Sequence, residues 1–132
     1  MGYYLLDTDA VIDYLAGIPA SVSLIQSLHN RGEYLCVSDV VIAEVYAGLR
    51  PQHRVVARKL LMSCSFLSTG PEDAQQAGEW RYKNARRGIT LSTTDVLVAA
   101  TAHAHQATIV TGNVDDYPMD EVSLFPLPRV KL

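Results

Sequence analysis

Cysteine, tryptophan and long apolar runs are all scarce in this sequence, which has two cysteines and one tryptophan in 132 residues. Cys36 and Cys64 stand singly in apolar stretches, with no Cys-x-x-Cys pair and no zinc-ligand spacing. That excludes a disulfide framework and predicts two small core residues of a reducing compartment. No apolar run approaches the roughly 20 residues of a membrane span. Met1–Leu6 also meets Asp7 too soon to form the core of a signal peptide. A cytoplasmic location with no membrane partner is therefore expected. Basic charge is scarce too: 11 lysines and arginines face 14 acids, for a net charge of −3. A histone-like or repressor-like grip on nucleic acid is excluded, so a phosphate-bearing partner needs a local basic patch or metal ions.

What is present is an ordinary globular composition, 48% apolar and 19% charged, which argues against disorder. There is no internal repeat, low-complexity tract or linker, and the length suits one core. Residues 1–132 are expected to form a single domain. Short apolar runs at Tyr3–Leu6, Tyr34–Val37, Ser65–Leu67, Thr108–Thr111 and Val122–Phe125 read as strands. Helical patterns lie between them. The first covers Asp9–Ala16, and the second Pro19–Leu28, with Val22, Ile25 and Leu28 on one buried face. Ser38 caps a third that runs to Leu49, and a fourth begins at Pro51, tied to the core by Val55, Val56, Leu60 and Leu61. A charged helix over Pro71–Arg87 is closed by Gly88, and Ser92 or Thr93 caps a last one carrying Val96–Ala100. The alternation indicates an α/β fold, with a mainly parallel sheet of four or five short strands covered on both faces.

The acids fall where such a fold places its ligands, beyond the carboxyl ends of the strands. Asp7 directly follows the first strand, and Asp115 and Asp116 lie just past the strand ending at Thr111. Glu44 sits inside a helix whose Val41, Ile42, Val45 and Leu49 form the packing face, while Ala47 and Gly48 leave room beside it. A mid-helix acid among apolar residues is costly unless paired or metal-bound. Asp95 opens an apolar helix with small Ala99 and Ala102 on its side. Several carboxylates in one crevice repel each other unless a cation neutralises them. Oxygen-only ligands favour Mg²⁺ or Mn²⁺ over zinc.

Taken in order, four segments resemble a PIN domain, most nearly the VapC-type toxins of bacterial and archaeal toxin–antitoxin pairs. They are Leu5-Leu6-Asp7-Thr8-Asp9, Glu44 with Gly48 four residues on, Asp95 heading an apolar helix, and Thr111-Gly112-Asn113-Val114-Asp115-Asp116-Tyr117. The resemblance covers essentially the whole chain. It implies a three-layer α/β/α sandwich and an Mg²⁺- or Mn²⁺-dependent endoribonuclease that works as a homodimer and is silenced by a cognate antitoxin. Asp7, Glu44 and Asp95 match the family's acidic core as catalytic and metal-binding residues. The fourth acid falls on Asp116, because the family has an Asp-Phe pair where this chain has Asp116-Tyr117; Asp115 stands beside it in reserve. Thr8, Asp9, Thr111 and Asn113 match supporting positions.

Plainer roles compete. Asp7 and Asp9 are good helix caps, Ser92-Thr93-Thr94-Asp95 fits a capping box, and Asp115-Asp116 suits a polar turn. Asp13 reads as a solvated helix charge and Asp39 as a first-turn acid. The four histidines are scattered and form no site. The stretch Glu79–Arg87 interleaves Trp80 and Tyr82 with Arg81, Lys83, Arg86 and Arg87, which could hold RNA phosphates or stack a base, or simply face water. Arg50, Arg54, Arg58 and Lys59 form a second basic group. Two other functions fit less of the pattern: a haloacid-dehalogenase-like phosphatase, suggested by Asp7-Thr8-Asp9, and an inert PIN-fold module that only binds partners.

Overall fold

The computed structural model describes residues 2–128. Five strands form one sheet: β1 (Tyr3–Leu6), β2 (Tyr34–Ser38), β3 (Ser65–Leu67), β4 (Ala107–Thr111) and β5 (Ser123–Pro126). Their order is β3-β2-β1-β4-β5, and every pair is parallel. The central strand β1 is fixed in register by Leu5, which lies opposite Cys36 of β2 and Ile109 of β4. Successive strand residues point to opposite faces. Leu5 and Leu6, Cys36 and Val37, and Ile109 and Val110 are all buried, so both faces of the sheet are covered. That is why these strands read as continuous apolar runs rather than alternating ones.

Six helices supply the cover: α1 (Thr8–Leu15), α2 (Pro19–Asn30), α3 (Asp39–Gly48), α4 (Arg54–Ser63), α5 (Pro71–Arg86) and α6 (Thr93–Ala104). Their ends follow local chemistry. Asp7 caps α1 by accepting from Thr8 N, Ser38 caps α3 by accepting from Val41 N, and Ser92 caps α6 by accepting from Asp95 N. At the start of α5, Asp73 accepts from Gly70 N. Gly88 follows that helix with φ +79°, the left-handed turn that glycine makes without a steric cost.

Several sequence expectations need correction. Val55 and Val56 are exposed, at 66% and 61%; Leu61 is buried as expected and Leu60 packs against the core, joined by Ala57 in place of the valines. The apolar residues at 55, 56, 57, 60 and 61 allow two helix phases, and the one seen follows a short 3-10 turn over Pro51–His53. Helix α2 buries Ser21, Ile25 and Leu28, leaving Val22 half-buried. Ser21 can sit there because its hydroxyl donates to Ala10 O at 2.9 Å. Trp80 is core, not an RNA-stacking surface residue: with Ala77 and Asn84 it makes the face of α5 that is buried. Cys36 is buried and Cys64 half-buried, both as free thiols. Burial, reinforced by neighbouring Cys64, pushes the Cys36 thiol up to about 11, so it is unreactive at neutral pH.

Candidate active site

The strand order reverses at β1, whose neighbours β2 and β4 lead away in opposite directions. In open α/β sheets the crevice at such a switch point, beyond the carboxyl ends, is the usual ligand site. Asp7 leaves β1 at that place, its backbone N–H still bonded to Val110 O of β4 at 3.0 Å. The carboxylate is only 7% exposed and is held on both oxygens. Oδ1 accepts from Thr8 N at 2.8 Å. Oδ2 accepts from the Thr111 hydroxyl at 2.9 Å and the Tyr117 hydroxyl at 2.7 Å. The cap and the site are therefore one residue.

Asp9, in the first turn of α1, ties that helix to the loop after β4. Its Oδ2 accepts from Gly112 N at 2.8 Å and Asn113 Nδ2 at 3.1 Å. Glu44 comes from the middle of α3, where Val41 and Val45 are buried and Glu44 is half-buried. Its Oε1 accepts from the Thr8 hydroxyl at 2.7 Å, so the residue after Asp7 orients the second acid. Ala47 and Gly48 are exposed, and a Cβ on Gly48 would meet nothing within 4 Å. The ground beside Glu44 is open.

Asp95 stands in the first turn of α6, where the helix dipole favours an acid. Burial nevertheless raises its pKa to about 6; a Ser92 hydrogen bond opposes the shift, and Asp116, Asp7 and Glu44 add to it. Asp116 closes a 3-10 turn (Val114–Asp116) and is also raised, by burial first and then by Asp7 and Asp115. Asp7, Thr8, Asp9, Glu44, Asp95, Asn113 and Asp116 all line a cleft of about 360 Å³, joined by Ile12 and Asp13. Asp115 is exposed and is not part of that lining. Asp13, expected to be a solvated charge, is half-buried within the cleft because it lies one turn beyond Asp9. Tyr117 was not expected as a contributor; the aromatic position after Asp116 was visible, but the target of its hydroxyl was not.

Among the described residues no three of these side chains are gathered into a ready-made coordination cage. The donor set still suits a hard cation. Magnesium keeps several waters and needs only one or two direct carboxylates, and the cleft has room for them. Histidine and cysteine, which zinc would require, are absent from its walls.

The PIN-domain family profile matches residues 4–122. The chain belongs to the PIN-domain family. Curated relatives include Ribonuclease VapC19 of Mycobacterium tuberculosis, 35% identical over 118 residues, covering 87% of this chain and 92% of that protein. Ribonuclease VapC10 of the same organism is 33% identical over 119 residues, covering 89% and 87%. The fold matches the crystal structure of VapBC2 from Rickettsia felis bound to a promoter DNA fragment, with TM-score 0.83 and 20% identity over 94% of this chain and 98% of that one. DNA-bound VapBC from Salmonella typhimurium gives 0.82 and 21% over 97% and 100%. At those identities the two structures speak for the three-layer α/β/α architecture alone.

Membership of the PIN family leaves no ground for the phosphatase alternative. In this PIN domain the basic side chains of α5 have different neighbours. Arg81 reaches the head of α6, where Nη1 donates to Thr93 Oγ1 at 2.6 Å, two residues from Asp95. Lys83 and Arg87 line a separate polar hollow with Asp120 and Glu121. Arg86 lies over the Tyr82 ring at 4.1 Å. All four cations are exposed, but Arg81 is the one linked to the acid-bearing helix.

Proposed function

We propose that this PIN domain is a VapC-type endoribonuclease that hydrolyses RNA phosphodiester bonds with the help of Mg²⁺ or Mn²⁺, as the toxin of a toxin–antitoxin pair. The observation that carries the reading is the convergence of Asp7, Glu44, Asp95 and Asp116, from four separate segments, on one cleft at the switch point of the sheet. The relatives named Ribonuclease VapC support the substrate class. Asp7, Glu44, Asp95 and Asp116 would hold the cation, with Thr8, Asp9, Thr111 and Asn113 supporting them. When bound, such an ion lowers the pKa of a water and neutralises charge on the phosphate. The residues do the rest. Thr8 holds Glu44 by Oε1, and we assign the other oxygen to accept the proton of the attacking water. Arg81 is placed to meet a backbone phosphate near Asp95; Lys83, Arg86 and Arg87 extend that contact along α5.

Exposed apolar surface supports both protein partners of this reading. A groove of about 410 Å³ between α1, the end of α3 and α4 adjoins the acidic cleft through Ile12, and Val56 lines it. An antitoxin segment lying there would reach the acids. A second groove of about 390 Å³ includes the exposed Met62 and Phe66, and a homodimer would bury it. Among the described residues no single helix is long and apolar enough to cross a membrane. A cytoplasmic location and a single domain over 1–132 belong to the same proposal.

The test is cleavage of labelled RNA by purified protein, wild-type and Asp7→Ala, with Mg²⁺. Cleavage by the wild type and its loss in the variant are expected. A variant that cuts at the wild-type rate rejects the assigned site. A wild type that neither cuts RNA nor binds Mn²⁺ is an inert partner-binding module instead.

A further inference from the structure

Tyr117 departs from the Asp-Phe pair of the family pattern by one atom, its hydroxyl. The ring is 3% exposed, and the hydroxyl donates to Asp7 Oδ2 at 2.7 Å. Thr111 donates to the same oxygen at 2.9 Å, and Asn113 N in turn donates to Thr111 Oγ1 at 3.0 Å. That last bond occupies a lone pair of the hydroxyl and turns its proton toward Asp7. A carboxylate oxygen offers about two lone-pair sites. Oδ2 is filled by the two hydroxyls, whereas among the described residues Oδ1 accepts from Thr8 N alone, at 2.8 Å, and Asp7 lines the cleft.

We propose that Tyr117 is a positioning residue: together with Thr111 it saturates Oδ2 of Asp7 and fixes the carboxylate so that Oδ1 alone meets the divalent cation. This rests on the metal-dependent reading above. Phenylalanine would fill the same space and keep the packing, but would leave Asp7 with one hydroxyl donor and a freer χ2. A tyrosine hydroxyl is protonated at neutral pH and so remains a donor. Groups that orient metal ligands in this way change metal affinity by roughly 10–100-fold when removed.

The experiment is a calorimetric Mn²⁺ titration of the full chain without RNA, comparing wild-type, Tyr117→Phe, Thr111→Val and Thr111→Ser, with a thermal melt of each metal-free protein. The expected result is Mn²⁺ binding weakened roughly 10-fold in Tyr117→Phe and in Thr111→Val, with wild-type affinity restored in Thr111→Ser, which keeps the hydroxyl. A Tyr117→Phe protein that melts lower yet binds Mn²⁺ as the wild type does would show a purely structural hydroxyl and overturn the inference alone. Absence of Mn²⁺ binding in the wild type would overturn the metal reading and this inference with it.

Discussion

Asp7 and Asp9, at the end of β1 and the start of α1, are held by named donors: Thr8 N, Thr111, Tyr117, Gly112 N and Asn113. Asp95 and Asp116 line the same cleft under a different regime. Burial and the neighbouring carboxylates push both of their pKa values up, and Ser92 is the one hydrogen-bond partner that counters this for Asp95. One half of the site is anchored by the fold and the other half is electrostatically frustrated. Frustrated acids are a cost that a stable fold has no reason to carry unless a cation relieves it. In the proposed reading a bound cation relieves the second half, while hydrogen bonds hold the first.

The largest effect should be common to both halves: Asp7→Asn and Asp95→Asn should each lower RNA cleavage by about 100-fold or more, read as initial rates at saturating Mg²⁺. Stability should then separate them. In metal-free melts Asp7→Ala should cost roughly 2–3 kcal/mol, since it removes a helix cap and strands two buried hydroxyls. Asp95→Asn should instead stabilise the metal-free protein, by about 1 kcal/mol above pH 6 once solvent screening of this half-buried group is allowed for.

The pH course of that gain is fixed by the shift from 3.8 to about 6. Below the lower value Asp95 is protonated in both the folded and unfolded chain and contributes nothing. Between the two values the unfolded chain ionises first, so stability falls as pH rises, and the full penalty persists above the upper value. Melts of wild type and Asp95→Asn should therefore coincide near pH 3.5 and diverge by pH 7. A constant gap across that range would refute the frustrated-acid account of Asp95. The smallest effect concerns Arg81→Ala, which should weaken RNA binding a few-fold and reduce the salt slope of binding by about one. Arg87→Ala should do less, because Arg87 shares its hollow with Asp120 and Glu121.

Much of this was legible in the sequence for identifiable reasons. Buried parallel strands are continuous apolar runs, so β1 and β4 could be read, and the acids after them inherit their place from topology. Helix ends carried their own signals in Ser38, Ser92 and Gly88. The phase of α4 was not legible, because adjacent valines and Ala57–Leu61 offer two equally apolar stripes. Trp80 was masked by the charges around it, although Ala77, Trp80 and Asn84 already stood at one-face spacing. Asp13 gave no signal beyond its distance of one turn from Asp9. The role of Tyr117 depends on a partner 110 residues away, and no local pattern encodes that.

In the proposed function the cleft works through a divalent cation. Its most direct test is cleavage of labelled RNA by the wild-type protein in Mg²⁺, after chelation with EDTA, and after Mn²⁺ is added back in excess of the chelator. Cleavage, loss and recovery are expected in that order, with Asp7→Ala inactive throughout. Undiminished cleavage after chelation would contradict it.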